Sequence, residues 1–119
     1  MKFFSLYILL TFSGIAWSQD KITEVDLMDY VDKHVRYCDK VYGTYVIKGK
    51  TNIALLNMGA DYPDQKIVVA IFEENWNKFE AQPDELFNGK QICVSGKVVL
   101  YRDKPEIIVK NPKQIVLQQ

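Results

Sequence analysis

Two short runs carry the side chains best suited to holding a ligand. Tyr45 precedes Lys48, Gly49 and Lys50, and Tyr101 precedes Arg102, Asp103, Lys104 and Pro105. Each run sets an aromatic ring beside cations at the end of an alternating stretch. Ammonium and guanidinium groups attract phosphates and flat rings stack on bases, so the combination suits single-stranded nucleic acid. Stacking is worth roughly 1–3 kcal/mol per base, so rings at Tyr45 and Tyr101 with the flanking cations could hold an oligonucleotide. The plainer reading is that hairpin turns are polar by nature and that a strand-end tyrosine covers a barrel mouth.

Catalytic chemistry has little support. His34, the single histidine, stands beside Lys33 at the start of a strand-like run, where exposure is expected. Ser95, the only serine after residue 18, falls inside a strand-like run rather than on a sharp strand-to-helix turn. Glu73 and Glu74 are adjacent, and neighbours on a strand face opposite ways, which argues against a shared acid-base site. No glycine-rich phosphate loop or metal-ligand spacing is present. The expectation is a non-enzymatic protein with no cofactor and no metal.

The elements that must position these residues are strands. Residues 89–117 alternate at period two, turn at Arg102-Asp103-Lys104-Pro105, and alternate again. Residues 34–47 form a first strand long enough to need a bend, for which Gly43 is the natural place. Strands follow at 51–58 and 66–73, separated by a loop over 59–64. Residues 75–86 are richer in helix formers and read as a short helical connector, with Pro83 opening a second turn. Strands at 91–101 and 106–109 complete five. Phe72, Trp76, Phe79 and Phe87 read as core or barrel-plug residues, and Tyr62-Pro63 as a rigid loop. Residues 20–33, with apolar side chains at Ile22, Val25, Leu27, Met28, Tyr30 and Val31, predict a short amphipathic helix capped by Thr23.

Residues 1–18 stand outside this scheme. Met1-Lys2 is a basic start, residues 3–15 are almost all apolar, and Ala16 and Ser18 place small residues where a signal peptidase reads. The run is short for a membrane span. Cleavage after Ser18 would expose Gln19, and no cysteine follows for lipid attachment. The expected protein is therefore exported, periplasmic or extracellular, with no stable membrane anchor once the signal is removed. Residues 19–119 suffice for one domain. The whole chain is formally neutral, and losing Lys2 leaves it one charge negative. The total charge thus does not announce a strongly basic nucleic-acid binder. The distribution is uneven: the stretch from Asp20 to Asp39 is acidic, and Lys90, Lys97, Arg102, Lys104, Lys110 and Lys113 make the last third basic.

Cys38 and Cys93 are the only cysteines, and an exported chain meets an oxidising compartment. Val35, Tyr37 and Val41 take the core parity of one strand, and Ile92, Val94 and Val98 that of the other. Both cysteines then lie on the opposite parity, away from the core face. Between neighbouring strands a disulfide is favoured, closing a loop worth roughly 4 kcal/mol on the chain-entropy model. The alternative is a pair of half-buried small hydrophobes.

Three strands, a helical connector and two further strands is the order of an OB-fold, a five-stranded Greek-key barrel. In that topology the first and fourth strands are antiparallel neighbours, which would bring the cysteines together. Val35-x-Tyr37-x-x-x-Val41, Asn57-Met58-Gly59 with Tyr62-Pro63, the run from Gly89 to Val98, and Tyr101, Lys104-Pro105 and Ile107 to Val109 resemble a known group. They are similar to small secreted bacterial OB-fold proteins, grouped with OB-fold nucleic-acid-binding domains of the tRNA anticodon-binding type. Similar modules accompany some secreted nucleases. The likeness covers residues 23–117, and its motifs speak more to fold than to ligand. Asp39 departs from it, standing where glycine usually marks the inward bend of the first strand. An acid there must reach solvent or find a partner.

The resemblance implies a ligand surface on strands two and three, flanked by the loops joining strands one to two and four to five. Those loops hold Lys48 and Lys50, and Tyr101, Arg102 and Lys104, with Tyr45 alongside. The expected partner is single-stranded nucleic acid or an oligonucleotide. The rivals are a periplasmic small molecule or oligosaccharide, which OB barrels accept on the same face, and a protein partner docked along the barrel edge.

Overall fold

The computed structural model describes residues 21–22 and 26–118. Residues 1–18, the expected signal peptide, and the expected Thr23 cap lie outside the described residues. Seven strands are present among the described residues: β1 (Lys21–Ile22), β2 (His34–Ile47), β3 (Ile53–Met58), β4 (Ile67–Phe72), β5 (Gln91–Tyr101), β6 (Lys104–Ile108) and β7 (Ile115–Leu117). Five of them close a ring in the order β2-β3-β4-β6-β5, and β5 pairs back onto β2. β4 and β6 run parallel, and the other ring neighbours are antiparallel. This is an OB-fold-like barrel. Closure leaves none of these strands with a bare edge along its whole length, which suits a chain this small.

β2 closes the ring because it is long enough to serve two neighbours. Its first half pairs with β5, from His34 opposite Lys97 to Lys40 opposite Gln91. Its second half pairs with β3, from Val41 opposite Met58 to Ile47 opposite Ile53. The register shifts between Val41 and Gly43, where a bulge sharpens the local twist. Gly43 also leaves room for the Asp61 carboxylate, which a Cβ there would force to move. The Asp61 side chain of the β3–β4 loop thus lies against β2 at this glycine.

Alternation explains the core. Ala54, Leu56 and Met58 of β3, Ile67, Val69 and Ile71 of β4, and Tyr37, Val94, Val98 and Ile107 from the other strands are buried together. The connector between β4 and β5 is a 3-10 helix (Glu73–Lys78) followed by α1 (Pro83–Phe87), with Pro83 in its first turn. Phe87 joins the core, Phe79 meets it edge to face at 6.0 Å, and the Trp76 indole donates to the Ile71 carbonyl at 2.8 Å. These rings plug the barrel, as a core or plug role implies. Phe72 does not join them. It is half-buried on the outer face of β4, because its parity follows Val68 and Ala70 rather than Ile71.

The amino-terminal region also departs from expectation. In place of an amphipathic helix over residues 20–33, Lys21–Ile22 pairs in parallel with Arg36 and Tyr37 of β2. A single 3-10 turn (Leu27–Tyr30) follows, capped by the Asp26 carboxylate, which accepts from the Met28 amide at 2.9 Å. Six apolar residues over positions 22–31 do not make one continuous helical stripe. Leu27 alone of this turn is buried.

Cys38 stands directly opposite Cys93 across β2 and β5, and the two form a disulfide with an S–S distance of 2.04 Å. Both lie on the parity opposite the core, yet they are only 4% and 1% exposed. β7 contributes to this cover, running along β5 with Val116 opposite Cys93. Asp39 finds its partner locally, accepting a 2.7 Å hydrogen bond from the Tyr37 hydroxyl. A disulfide fits an oxidising location. No helix among the described residues is long and apolar enough to cross a membrane.

Candidate ligand groove

The outer faces of β2, β3, β4 and β6 form the floor of a groove of about 940 Å³. Strand register lays its floor out in rows. One row is Ile47, Ile53 and Phe72. The next is Tyr45, Leu55, Ala70 and Ile108, with the small Ala70 making a hollow between larger neighbours. The third is Asn57, Val68 and Glu106. The groove is therefore graded along the strand direction, entirely apolar at one end and polar at the other.

The polar end is closed by two connections. The β3–β4 loop contributes Asp61, Tyr62 and Gln65, and the β5–β6 turn contributes Tyr101, Arg102 and Lys104. Tyr62 and Tyr101 thus stand on separate connections at the same end, while Tyr45 rises from β2 in the middle row. Their rings remain 73%, 53% and 65% exposed, a large apolar area left uncovered. The Arg102 guanidinium lies over the Tyr101 ring, 5.4 Å from its centroid, in a cation–π contact.

The turn that carries Arg102 is held in an uncommon conformation. Arg102 and Asp103, the two residues between β5 and β6, have φ of 52° and 65°. Two positive φ values match the primed two-residue hairpin turn, whose twist suits the flanking strands but favours asparagine and glycine. Each non-glycine residue there costs about 1 kcal/mol. The turn projects the Arg102 side chain at the polar end of the groove.

Burial shapes the electrostatics. Glu106 sits half-buried on the groove floor, and desolvation raises its carboxyl above the ordinary glutamate range. Asn57 is only 7% exposed yet lines the groove. The Gln65 side-chain oxygen is buried with no hydrogen-bond partner among the described residues.

The residues singled out in the sequence separate into two groups. Tyr45, Tyr101, Arg102 and Lys104 come together on the groove. Lys48 and Lys50 do not line it; they are exposed in the β2–β3 turn, beyond the apolar end marked by Ile47 and Ile53. The resemblance placed the surface on the second and third strands, but sequence reasoning named none of the floor residues, nor Tyr62 as a groove wall, nor the polar trio Asn57, Gln65 and Glu106. Tyr62 carried a signal, since an aromatic residue inside a polar loop is an unusual expenditure of apolar surface. Which face of those strands forms the floor carried none, because β3 and β4 are largely apolar on both parities.

Fold and site together define a small OB-fold-like barrel with a tyrosine-walled groove on its sheet face. No family model matches the chain, and no curated protein matches it. Among solved structures, the chain is similar to a crystal structure assigned to an aspartyl-tRNA synthetase from Leishmania major Friedlin. That match has a TM-score of 0.51 at 19% identity, covering 88% of this chain and 22% of the other. The chain therefore spans about a fifth of that protein, and the likeness concerns the fold.

Proposed function

We propose that this protein is an exported, non-enzymatic binding module that holds single-stranded nucleic acid or an oligonucleotide in the groove. The observation that carries the reading is the convergence of Tyr45, Tyr62 and Tyr101 around an apolar floor, with Arg102 and Lys104 at the rim. Exposed rings over an apolar floor offer stacking surface, and the rim cations offer phosphate contacts. Lys48 and Lys50 lie past the opposite end, where they would meet the backbone of a strand leaving the groove. β4 spans six residues. At about 3.3 Å per residue that is roughly 20 Å, room for only a few nucleotides, near the low end of the roughly 4–16 an OB fold covers. The barrel shared with a synthetase that is named for tRNA supports the same reading at the level of fold.

A second reading has its own support. The rows Ile47-Ile53-Phe72 and Leu55-Ala70-Ile108 are apolar, and Asp61 and Glu106 add negative charge beside the cations. A neutral small molecule or oligosaccharide would sit well on such a surface. Fluorescence anisotropy of labelled single-stranded DNA and RNA across a salt series separates the two. Phosphate-led binding in the micromolar range weakens steeply with salt, with a log–log slope of about −0.7 per phosphate neutralised. Absence of binding even at low salt would reject the nucleic-acid reading and favour the neutral ligand.

A further inference from the structure

Three polar groups at one end of the groove border it without a side-chain hydrogen bond among the described residues. Asn57 is a buried residue of the groove lining, and its side chain makes no hydrogen bond among the described residues. The Gln65 side-chain oxygen is buried and unpaired among those residues. Glu106 is half-buried on the same floor, one strand beyond Val68 from Asn57. Leaving a buried polar group unpaired costs about 1–3 kcal/mol, a cost that falls here on the Gln65 oxygen. Here all three border one cavity, and a ligand can supply what the protein does not.

Their chemistry restricts the ligand. An ionised carboxylate only accepts hydrogen bonds, an amide oxygen accepts, and the Asn57 amide nitrogen donates. The ligand must therefore present at least two donors toward Glu106 and an acceptor toward Asn57. Strands lie about 4.8 Å apart, so the backbones of Asn57 and Glu106 stand roughly 10 Å from one another with Val68 between them. After the two side chains, that gap leaves space for one planar ring system over Val68.

Resting on the nucleic-acid reading above, we infer that this end of the groove is a base-reading subsite that selects guanine. Guanine's Watson–Crick edge carries two adjacent donors, N1–H and the N2 amine, beside the O6 acceptor. The donors satisfy Glu106, O6 accepts from Asn57, and the second hydrogen of the N2 amine is available to Gln65. Adenine and cytosine would turn a bare ring nitrogen toward the carboxylate, and thymine and uracil bring a single donor. Tyr62 and Tyr101, at the same end, supply stacking surfaces.

The test measures binding of labelled thymidine pentamers that carry one central guanine, hypoxanthine, adenine, cytosine or thymine to the oxidised protein. A central guanine should bind about tenfold more tightly than adenine, the scale of one bidentate base contact. Hypoxanthine, which lacks the N2 amine, should fall between them. Glu106→Gln should bring the guanine-to-adenine ratio to within about twofold, whereas Glu80→Gln, an exposed acid on the connector, should keep it. Thermal melts confirm that both variants are folded. Equal affinity for all pentamers would overturn the guanine subsite and leave the nucleic-acid reading intact. No binding of any pentamer, including the all-thymine one, would overturn both.

Discussion

Tyr101 and Arg102 are consecutive in the chain, yet the Arg102 guanidinium folds back over the Tyr101 ring, 5.4 Å from its centroid. Arg102 holds a positive φ in the two-residue turn that reverses the chain here. One turn thus places a stacking surface and a cation together at the groove's polar end. A base seated on Tyr101 would meet both.

Replacing Arg102 and Lys104 together with alanine should lower oligonucleotide affinity by about tenfold at low salt. The log–log salt slope should shrink by about 1.4 if each side chain neutralises one phosphate. Both side chains are exposed, so stability should change by no more than about 0.5 kcal/mol per site. Anisotropy across a salt series and a urea melt measure the two effects separately. An unchanged slope would remove these cations from the interface.

Asp103→Gly should stabilise the fold. Asp103 occupies the left-handed region at φ 65°, where glycine meets no Cβ penalty. The expected gain is about 1 kcal/mol, read as a higher urea midpoint with the slope unchanged. A loss of stability would mean that the aspartate makes a compensating contact in the folded turn.

Glu106 links stability to pH. Burial raises its carboxyl above the ordinary value in the folded chain, so the folded state binds more protons than the unfolded one between those two values. This contribution to stability is fully present below the ordinary glutamate value. It is lost as pH rises through the raised value and is constant above it. Glu106→Gln should therefore melt a few degrees higher than the parent at pH 7, with the difference vanishing near pH 4. Thermal melts across that range test the sign directly, and a variant less stable at pH 7 would contradict it.

Reducing the Cys38–Cys93 disulfide, which spans 55 residues, should destabilise the protein without changing its topology. Chain-entropy reasoning gives about 4 kcal/mol as an upper figure, and 2–4 kcal/mol is the usual range. The cross-strand pairs on either side, Tyr37 with Val94 and Asp39 with Ile92, keep the register without it. Urea melts with and without reductant, beside the Cys38→Ser/Cys93→Ser variant, give the magnitude. No measurable loss would show that the unfolded state gains little freedom from reduction.

Much of the barrel was legible because its strands alternate. The first strand, its bend near Gly43, the hairpin at Arg102-Asp103 and the Cys38–Cys93 pairing all follow from parity and from turn chemistry. The pairing was open to inference because the strands on either side place Tyr37 and Val94 on one face and the cysteines on the other. The amino-terminal helix was misjudged because scattered apolar residues near a chain end serve a short strand and a 3-10 turn equally well.

The sequence alone determined where strands begin and turn, since period-two patterning and turn residues act over a few neighbours. It also determined the chemical character of the two runs that hold Tyr45 with Lys48 and Lys50, and Tyr101 with Arg102 and Lys104. Only the tertiary structure decided which face of β3 and β4 is the groove. Both parities of IALLNM and IVVAIF are largely apolar, so alternation cannot tell core from floor. Pairing with β2 and β6 made that choice, turning Phe72 outward and bringing Asn57 and Glu106 to either side of Val68. It also left Lys48 and Lys50 beyond the groove, because where a turn falls relative to a binding face is a property of the closed barrel and not of the turn.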